Sequence, residues 1–467
     1  MVSSALWALN SSDYLQIIAY CMGRAVYNVY FHPLARYPGP KLAAVTDAWW
    51  AYASITGKYP WIIEKALKEH GDVVRVAPNE LVFLNPEAAK DIYLAQEKNL
   101  ELFVQVGYDA LDTGDGGISG ETNPVKHRET AKKLAPAFST RNFKAKEKAV
   151  HGHIDLFVQK MKDEGSGEKG AELQRWTDWL ALDLSADMTY GLAMNQLNDM
   201  KDSILLSATL KLNLFLTMSQ ITRKFRLLTP LMYLTIPPSL LLLMPKLIGM
   251  NHEDVKARLE RRGKTEHLDY FEQLFPADKP VPEDKKDIYH LENVAGQLLL
   301  AGWQPLANQF YSLVFFILKE PEAYGALVKE VRDAFTSYDV INSDTTAGLE
   351  YLQACMHESL RLHQETTDGL PRVSPGAVVD GRYIPKGVTC QISYFAAARS
   401  PRFFTDPLRF RPERWLSPDH PRFDARYKDD NLKASKPFSQ GPRGWMSWGA
   451  YSVVCVPDIC RQGLVGV

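Results

Sequence analysis

Hydrophobic residues recur at helical spacing along much of this chain. Residues 143–163, 178–200 and 287–335 repeat apolar side chains three and four positions apart, which predicts amphipathic helices. Residues 320–334 add the mixed charges of a solvent-facing side, and residues 347–363 form a further apparent helix. The chain is therefore predicted to be mostly helical.

Two shorter segments have the pattern of strands. Residues 71–84 predict two strands joined by a turn at Pro78-Asn79. Residues 378–384 predict a second strand–turn–strand unit, because Asp380-Gly381 is a dipeptide typical of tight hairpins. The fold class that follows is α+β, mostly α with a small β region.

Composition narrows the class of protein. With Lys+Arg 54 against Asp+Glu 55, the net charge is -1, which argues against a general nucleic-acid binder. The 467 residues, 46% of them hydrophobic, can bury a large core in two or three domains or in one large domain. The five cysteines are scattered and lack CxxC spacing, which disfavours a disulfide framework and a zinc site and indicates a reducing compartment.

Residues 1–30 leave two interpretations open. Before Arg24 the only charge is Asp13, and residues 14–23 are mostly apolar, so the segment is either an N-terminal membrane anchor or a helix of the folded protein. No small-residue cleavage pattern indicates a secretory signal. The Pro/Gly-rich stretch 31–41 that follows cannot be a helix interior.

Charged residues in the second half of the chain form a spaced set. Glu358 and Arg361 are three positions apart on a predicted helix, so their side chains share a face and can pair. About fifty residues later comes Pro412-Glu413-Arg414-Trp415. A Gly/Pro/Arg loop, Pro437-Phe438-Ser439-Gln440-Gly441-Pro442-Arg443-Gly444, ends this series.

These motifs, together with Pro38-Gly39-Pro40, resemble the cytochrome P-450 superfamily in type and order, in its fungal microsomal form. The resemblance covers about residues 24–444. It divides the chain into a candidate anchor (1–30), a cytochrome P-450 domain (31–444) and an atypical tail (445–467), with an altered C-terminal part of the fold. It also implies that Glu358, Arg361 and Arg414 form a buried structural triad, because one carboxylate between two guanidinium groups is a geometry that arginine supplies.

The resemblance implies a haem cofactor. Cationic residues would bind its propionates, and the candidates are Arg443, His127, Lys132 (or Arg128 in its place) and Arg372. Electrons would come from NADPH through a separate NADPH-cytochrome reductase, which agrees with the lack of a GxGxxG fingerprint in the sequence.

The expected setting is the cytosolic face of the endoplasmic reticulum membrane, with a hydrophobic small-molecule substrate of fungal secondary metabolism. Residues 226–250 are conspicuously apolar, but four prolines exclude one continuous spanning helix. In this family the region is either buried core or a substrate entrance that dips into the membrane surface.

The oxygen-activation helix departs from the family pattern at 302–306. The family has Ala-Gly-x-(Asp/Glu)-Thr, whose acid and hydroxyl relay protons during oxygen activation. Here Gly302 is kept, but Gln304 stands at the acid position and cannot exchange a carboxyl proton. Pro305 and Leu306 offer no hydroxyl, and Pro305 is expected to kink the helix.

The iron-ligand position departs more severely. The family has a cysteine after Arg-Gly, whereas this chain has Trp445, whose indole offers only an N–H donor, so the sequence supplies no metal ligand there. Cys455 and Cys460 lie ten and fifteen residues further on, which would require the loop to be rebuilt.

Three functions stay open on the sequence. The chain is a haem-thiolate monooxygenase by lineage, an inactive remnant or mis-spliced product of such an enzyme, or a relative of the dehydratase or isomerase type. The third also needs the thiolate, so Trp445 counts against it as well.

Overall fold

The computed structural model describes residues 11–107, 114–165, 167, 170–225, 228–264, 269–275, 278, 280–337 and 340–444. Trp445 and the tail 445–467 lie outside the described residues, as do the first ten residues of the candidate anchor. Predictions about those positions therefore stay predictions.

The helices alternate with short strands in the N-terminal quarter and near the C-terminus. The helices are α1 (Ser11–Val26), α2 (Lys41–Val45), α3 (Ala48–Ile55), α4 (Tyr59–His70), α5 (Pro124–Leu134), α6 (Thr140–Glu164), α7 (Leu173–Tyr190), α8 (Gln196–Asp199), α9 (Ile204–Lys224), α10 (Thr229–Leu234), α11 (Pro238–Glu260), α12 (Tyr270–Leu274), α13 (Lys285–Lys319), α14 (Pro321–Ala334), α15 (Ser343–Ala347), α16 (Glu350–Leu362) and α17 (Tyr394–Ala398). The strands are β1 (Val73–Ala77), β2 (Glu80–Phe83), β3 (Gln96–Glu97), β4 (Leu100–Glu101), β5 (Val104–Gln105), β6 (Arg372–Val373), β7 (Ala377–Val379), β8 (Arg382–Ile384) and β9 (Thr389–Ile392).

The chain divides into two compact units. Unit 1 consists of residues 1–106, 221–226 and 367–397, and unit 2 consists of residues 107–220, 227–366 and 398–467. All of these strands belong to unit 1, whereas the described elements of unit 2 are helices and short helical turns. The predicted α+β class, mostly α, is confirmed.

A five-stranded sheet forms the centre of unit 1. Its order is β1-β2-β9-β6-β5, and β2 runs antiparallel to β1 and parallel to β9. Every residue of β1 is buried, including Arg75, whose guanidinium donates to the carbonyl oxygens of Asn28 and Pro78 at 2.7 Å each. The sheet can bury this charge because carbonyl oxygens satisfy the guanidinium.

Both strand–turn–strand predictions are confirmed. β1 and β2 pair across the Pro78-Asn79 turn, and β7 pairs antiparallel with β8. In the second hairpin Asp380 and Gly381 have φ of 48° and 72°, the left-handed backbone that a two-residue turn of this type requires at both positions.

Unit 2 is built around two long helices. α7 is buried almost along its whole length, and it packs against α13, whose buried face includes Leu291, Leu299 and Phe310. α13 begins after Asp284, whose carboxylate caps the backbone N–H of Lys286. The buried helix and the amphipathic helix together form the hydrophobic core of the unit.

The predicted helices are confirmed with corrected ends. The stretch 178–200 is one helix only as far as Tyr190, because Gly191 adopts a left-handed φ of 61° that ends α7. The stretch 287–335 is two helices, since Pro321 cannot continue α13 and instead starts α14. Pro305 lies inside α13 without ending it.

Exposed apolar surface is concentrated in α1 and α9–α11. α1 exposes large apolar side chains, among them Leu15 and Met22. Residues 226–250 contain α10 and part of α11 rather than one helix, as the prolines predicted. Within the described residues one helix, α9, is long and apolar enough to cross a membrane, and the sequence interpretation did not single it out.

Candidate functional site

Glu358 lies at the centre of a buried hydrogen-bond network in unit 2. Its carboxylate accepts from Nε and Nη2 of Arg361 at 2.8 Å each and from Nε of Arg414 at 3.1 Å. The backbone N–H of Arg411 and the indole N–H of Trp415 donate to it as well, at 2.8 and 2.9 Å. The side chains of Glu358, Arg361 and Arg414 are fully buried.

The two guanidinium groups are satisfied beyond Glu358. Arg361 donates to the carbonyl oxygens of Ala398, Pro407 and Arg409. These contacts tie α16 to the chain that leads into the Pro-Glu-Arg-Trp turn. The arrangement is the fully paired one that makes a buried charge tolerable.

Asp430 is a partner of Arg414 that the motifs did not indicate. Its carboxylate pairs with Nη1 of Arg414, whose Nη2 donates to the carbonyl of Thr405 at 2.9 Å. Nothing in the local pattern around Asp430 marks it, because it follows Arg414 by sixteen residues in an irregular segment.

The two arginines set the ionisation of Glu358. Burial by itself opposes the charged form, but Arg361 and Arg414 stabilise it, so the pKa of Glu358 lies below its usual value. The carboxylate therefore stays charged, and the network acts as a structural clamp between α16 and residues 398–430.

Within the segment 301–306 of α13, Gly302 and Trp303 lie against α7. The Oγ of Ser185 donates to the carbonyl of Leu299 at 2.7 Å, and a methyl group on Gly302 would meet this hydroxyl well inside contact distance. Gly302 thus lies where α7 and α13 approach closely, and a larger residue there would displace the Ser185 side chain.

Trp303, the residue between Gly302 and Gln304, is buried against α7. Its indole N–H donates to Asp178 at 3.0 Å. Burial raises the pKa of Asp178 to about 6, although the bond from Trp303 and the charge of Arg175 oppose that shift. The sequence did not indicate this buried acid, since Asp178 and Trp303 are 125 positions apart.

Gln304 and Pro305 differ in exposure. The side chain of Gln304 is exposed, whereas Pro305 is buried and lines a small cleft. The same cleft is lined by Asn308 and Glu365, and the Asn308 amide donates to the Glu365 carboxylate. Burial raises the pKa of Glu365, although the bond from Asn308 opposes that shift, so a carboxyl group that holds its proton more tightly than usual lies in the cleft beside the altered segment.

The candidate cofactor-binding residues fall in different places. His127 is buried on α5, whereas Lys132 and Arg128 on the same helix are exposed. Arg372 is buried in β6 of unit 1, where its guanidinium donates to the carbonyl of Pro371 at 3.1 Å.

Arg443 lies close to the start of α5. Its Nη1 donates to the carbonyl of Glu121 at 2.6 Å. The carboxylate of Glu121 accepts from the backbone N–H of Asn123, the residue that caps α5 one turn before His127. The structure therefore places Arg443 beside the start of the helix that carries His127.

A haem needs partners for its carboxylates and a ligand for its iron. Arg443 and His127 suit the carboxylates, because a guanidinium and an imidazole can both donate charge-assisted hydrogen bonds. Position 445 does not suit the iron, since the indole of Trp445 offers no lone pair. The residues present thus offer hydrogen-bond donors for the haem carboxylates, but position 445 offers no ligand for the iron.

Known proteins resemble this chain over nearly all of its length. The sequence profile described as Cytochrome P450 matches residues 45–444. The cytochrome P450 monooxygenase TwmD of Talaromyces wortmannii is 46% identical over 425 residues, which cover 91% of this chain and 83% of TwmD.

Two further fungal proteins match over similar lengths. The cytochrome P450 monooxygenase poxC of Penicillium oxalicum is 34% identical, over 91% of this chain and 81% of its own. The cytochrome P450 monooxygenase btcC of Colletotrichum orbiculare is 32% identical, over 91% of this chain and 82% of its own. By the profile match and by these relatives, this chain belongs to the cytochrome P450 family, whose cofactor is haem.

Proposed function

We propose that this chain is a haem-dependent monooxygenase by lineage, acting on a hydrophobic small molecule of fungal secondary metabolism. Electrons from NADPH arrive through a separate reductase. One atom of dioxygen enters the substrate and the other becomes water. The observation that carries the lineage is the complete Glu358 network, which retains the family's buried triad with its hydrogen bonds.

The relatives support the same activity. TwmD, poxC and btcC are each named as cytochrome P450 monooxygenases and come from three different fungi. The haem would be held by Arg443 and the helix of His127, and it supplies the chemistry of dioxygen activation when a thiolate ligates its iron.

Exposed apolar helices support a location at the endoplasmic reticulum membrane. α1 turns Leu15, Ile18, Tyr20 and Met22 toward the outside. α9 has the length and hydropathy of a membrane-crossing helix, and 28% of its apolar window is buried. Apolar side chains exposed in such number are stable when lipid covers them.

Trp445 favours a second candidate, an inactive remnant or mis-spliced product of such an enzyme. A chain that keeps the triad but has tryptophan at 445 has retained the buried network that stabilises the fold and lost the iron ligand. The replacement of the acid and hydroxyl at 304–306 points the same way.

Replacing one side chain separates the two candidates. The full chain and its Trp445→Cys variant are expressed with haem and compared by the absorbance of the reduced carbon-monoxide adduct. The unaltered chain is expected to give no thiolate-type Soret shift, because the indole cannot ligate iron, and the variant is expected to give one.

A thiolate-type shift in the unaltered chain would contradict the remnant candidate. A folded, haem-containing Trp445→Cys variant without the shift would contradict the monooxygenase proposal for this loop. Sequencing the transcript across codons 440–450 shows whether a cysteine codon is present at the ligand position.

A further inference from the structure

Three polar side chains on one face of α13 hold the loop that precedes α5. His290, Asn293 and Gln297 are spaced by three and four residues, which places them along a single helical stripe. The loop they contact is 115–121, named here the clamp loop. The clamp loop, α5, α13 and Arg443 all belong to unit 2.

The stripe contacts the clamp loop at successive positions. His290 Nδ1 lies 3.0 Å from the carboxylate of Asp115, and Asn293 donates its amide to the carbonyl of Asp115 at 3.3 Å. Gln297 makes three hydrogen bonds to the loop, all of them to backbone groups.

Gln297 uses both ends of its amide. Its Nε2 donates to the carbonyl of Gly116 at 3.0 Å, and its Oε1 accepts from the backbone N–H groups of Ile118 and Ser119 at 2.8 and 2.9 Å. One side chain thus satisfies three backbone groups of a tight loop, a role usually filled by secondary structure.

The loop backbone is shaped to receive this amide. Gly117 has a left-handed φ of 60°, and a methyl group there would lie 2.6 Å from the amide of Gln297. Gly116 and Gly120 close the turn on itself, since the N–H of Gly120 donates to the carbonyl of Gly116 at 2.9 Å. The apolar side chain of Ile118 then packs near Val294 and Leu298 of α13.

The far end of the clamp loop holds Arg443. The carbonyl of Glu121 accepts from Nη1 of Arg443 at 2.6 Å, in the motif that precedes position 445. Gln297 and the guanidinium of Arg443 are therefore bonded to the backbone of the same short loop, two residues apart at Ser119 and Glu121.

We propose that Gln297 is a positioning residue, which through the clamp loop fixes the guanidinium of Arg443. Three backbone groups in the middle of the loop are bonded to Gln297, so without its amide this part of the loop gains conformational freedom and the carbonyl of Glu121 moves with it. The relevance of Arg443 to a cofactor rests on the proposed function, but the positioning itself does not, and its test uses the chain without haem.

Two readouts on the full-length chain test the link. Hydrogen exchange at the amides of Ile118 and Ser119 reports the bonds to Gln297. Modification of Arg443 by phenylglyoxal, followed by mass spectrometry of the peptide, reports how firmly the guanidinium is held.

Gln297→Ala is expected to increase both the exchange rate of the two amides and the rate at which Arg443 is modified. The loss of these bonds should raise exchange at the two amides by about tenfold and modification of Arg443 by about fivefold. Gln297→Glu is the conservative variant, because its carboxylate still accepts from both amides although it cannot donate to Gly116. We expect it to restore Arg443 to within about twofold of the unaltered chain.

Gln159→Ala is the matched control, since Gln159 is an exposed glutamine on α6 whose amide donates to the carboxylate of Asp163 four residues further on. It should change neither readout. Faster exchange at 118 and 119 with unchanged Arg443 modification would overturn the proposal, as would no change in either, or an equal rise in the control.

Asn293→Ala keeps the test decisive if Gln297→Ala fails to fold. This variant removes a single bond at the opposite end of the loop, and the Gln297→Glu variant removes the bond to Gly116 at position 297 itself. A rise of about twofold in Arg443 modification in either variant supports the proposal, and no rise in both contradicts it.

Discussion

The Glu358 network and the segment 301–306 of α13 belong to the same unit. The network keeps the residues of the family pattern, whereas the segment has replaced most of them. Around Glu358 the family's triad is present and each guanidinium is paired. Along 301–306 the glycine is kept, while the acid and hydroxyl positions hold Gln304, Pro305 and Leu306.

The difference lies in what each residue does for folding. Removing the charge of Glu358 would leave the guanidinium of Arg361 buried with carbonyl oxygens as its partners and Arg414 paired with Asp430 alone, which costs stability in this fold. Gln304 is exposed, and a carboxylate there would contribute little to stability. Residues that serve the fold are retained whether or not the chain is active, whereas residues that serve only proton transfer are free to change.

The largest expected effect is at the network. Glu358→Gln should lower the free energy of unfolding by about 3–5 kcal/mol, because it leaves Arg361 and Arg414 buried without their shared counter-charge. Urea unfolding followed by circular dichroism measures the change. Glu350→Gln, exposed on the same helix, is the control and should change stability by less than about 0.5 kcal/mol. Equal effects from both would mean that the buried network contributes no more to stability than an exposed carboxylate does.

Gly302→Ala is expected to have the next largest effect. The added methyl group collides with Ser185 of α7, so the variant should lose about 1–3 kcal/mol of unfolding free energy. Gly325→Ala in α14 is the matched control, because its methyl group meets nothing within 4 Å. It should gain about 0.5–1 kcal/mol from the better helix propensity of alanine. A neutral Gly302→Ala would show that the Ser185 side chain moves aside without cost.

Asp178→Asn should change the pH dependence of stability. Burial raises the pKa of Asp178 to about 6, above the value near 4 of the unfolded chain, so the folded state binds the proton more tightly between these values. The contribution of this group to unfolding free energy is therefore present in acid and is lost as the pH rises from about 4 to about 6.

Asparagine cannot titrate, and its amide oxygen still accepts from Trp303. The variant should gain stability relative to the unaltered chain as the pH rises through that range, in unfolding experiments at closely spaced pH values. Asp163→Asn, exposed on α6, is the control for removing a carboxylate. An identical pH profile for the Asp178 variant and the unaltered chain would show that burial does not hold the proton there.

The smallest effect is expected at Gln304→Glu. The side chain is exposed, so its unfolding free energy should stay within about 0.5 kcal/mol of the unaltered chain. Thermal and urea unfolding both check this. A loss of more than about 1 kcal/mol would mean that position 304 has a structural role in this chain, unlike the role in proton transfer that the family pattern gives it.

Much of the local structure is predictable from the sequence. Asp380-Gly381 predicts its hairpin because few other residue pairs adopt a left-handed backbone twice in succession. Pro321 likewise carried the signal that separates α13 from α14, although apolar periodicity alone joined them. The pairing of Glu358 with Arg361 follows from helical spacing.

Contacts between distant segments were not predictable in the same way. Trp303 and Asp178 are 125 positions apart, and Arg443 and Glu121 are 322 apart. A tryptophan or an arginine carries no local mark of its partner, since hydrophobic periodicity reports which face is buried and not what it meets.

The sequence by itself determined the family and the departures from it. The order of the charged motifs identifies a cytochrome P450, and Trp445, Gln304 and Pro305 are visible without coordinates because ligand and relay chemistry depends on residue type. Only the tertiary structure decided which groups share an environment. It placed Asp178 beside Trp303, Gln297 in the clamp loop and Glu121 against Arg443, because these pairings depend on how α7, α13 and the loops pack together.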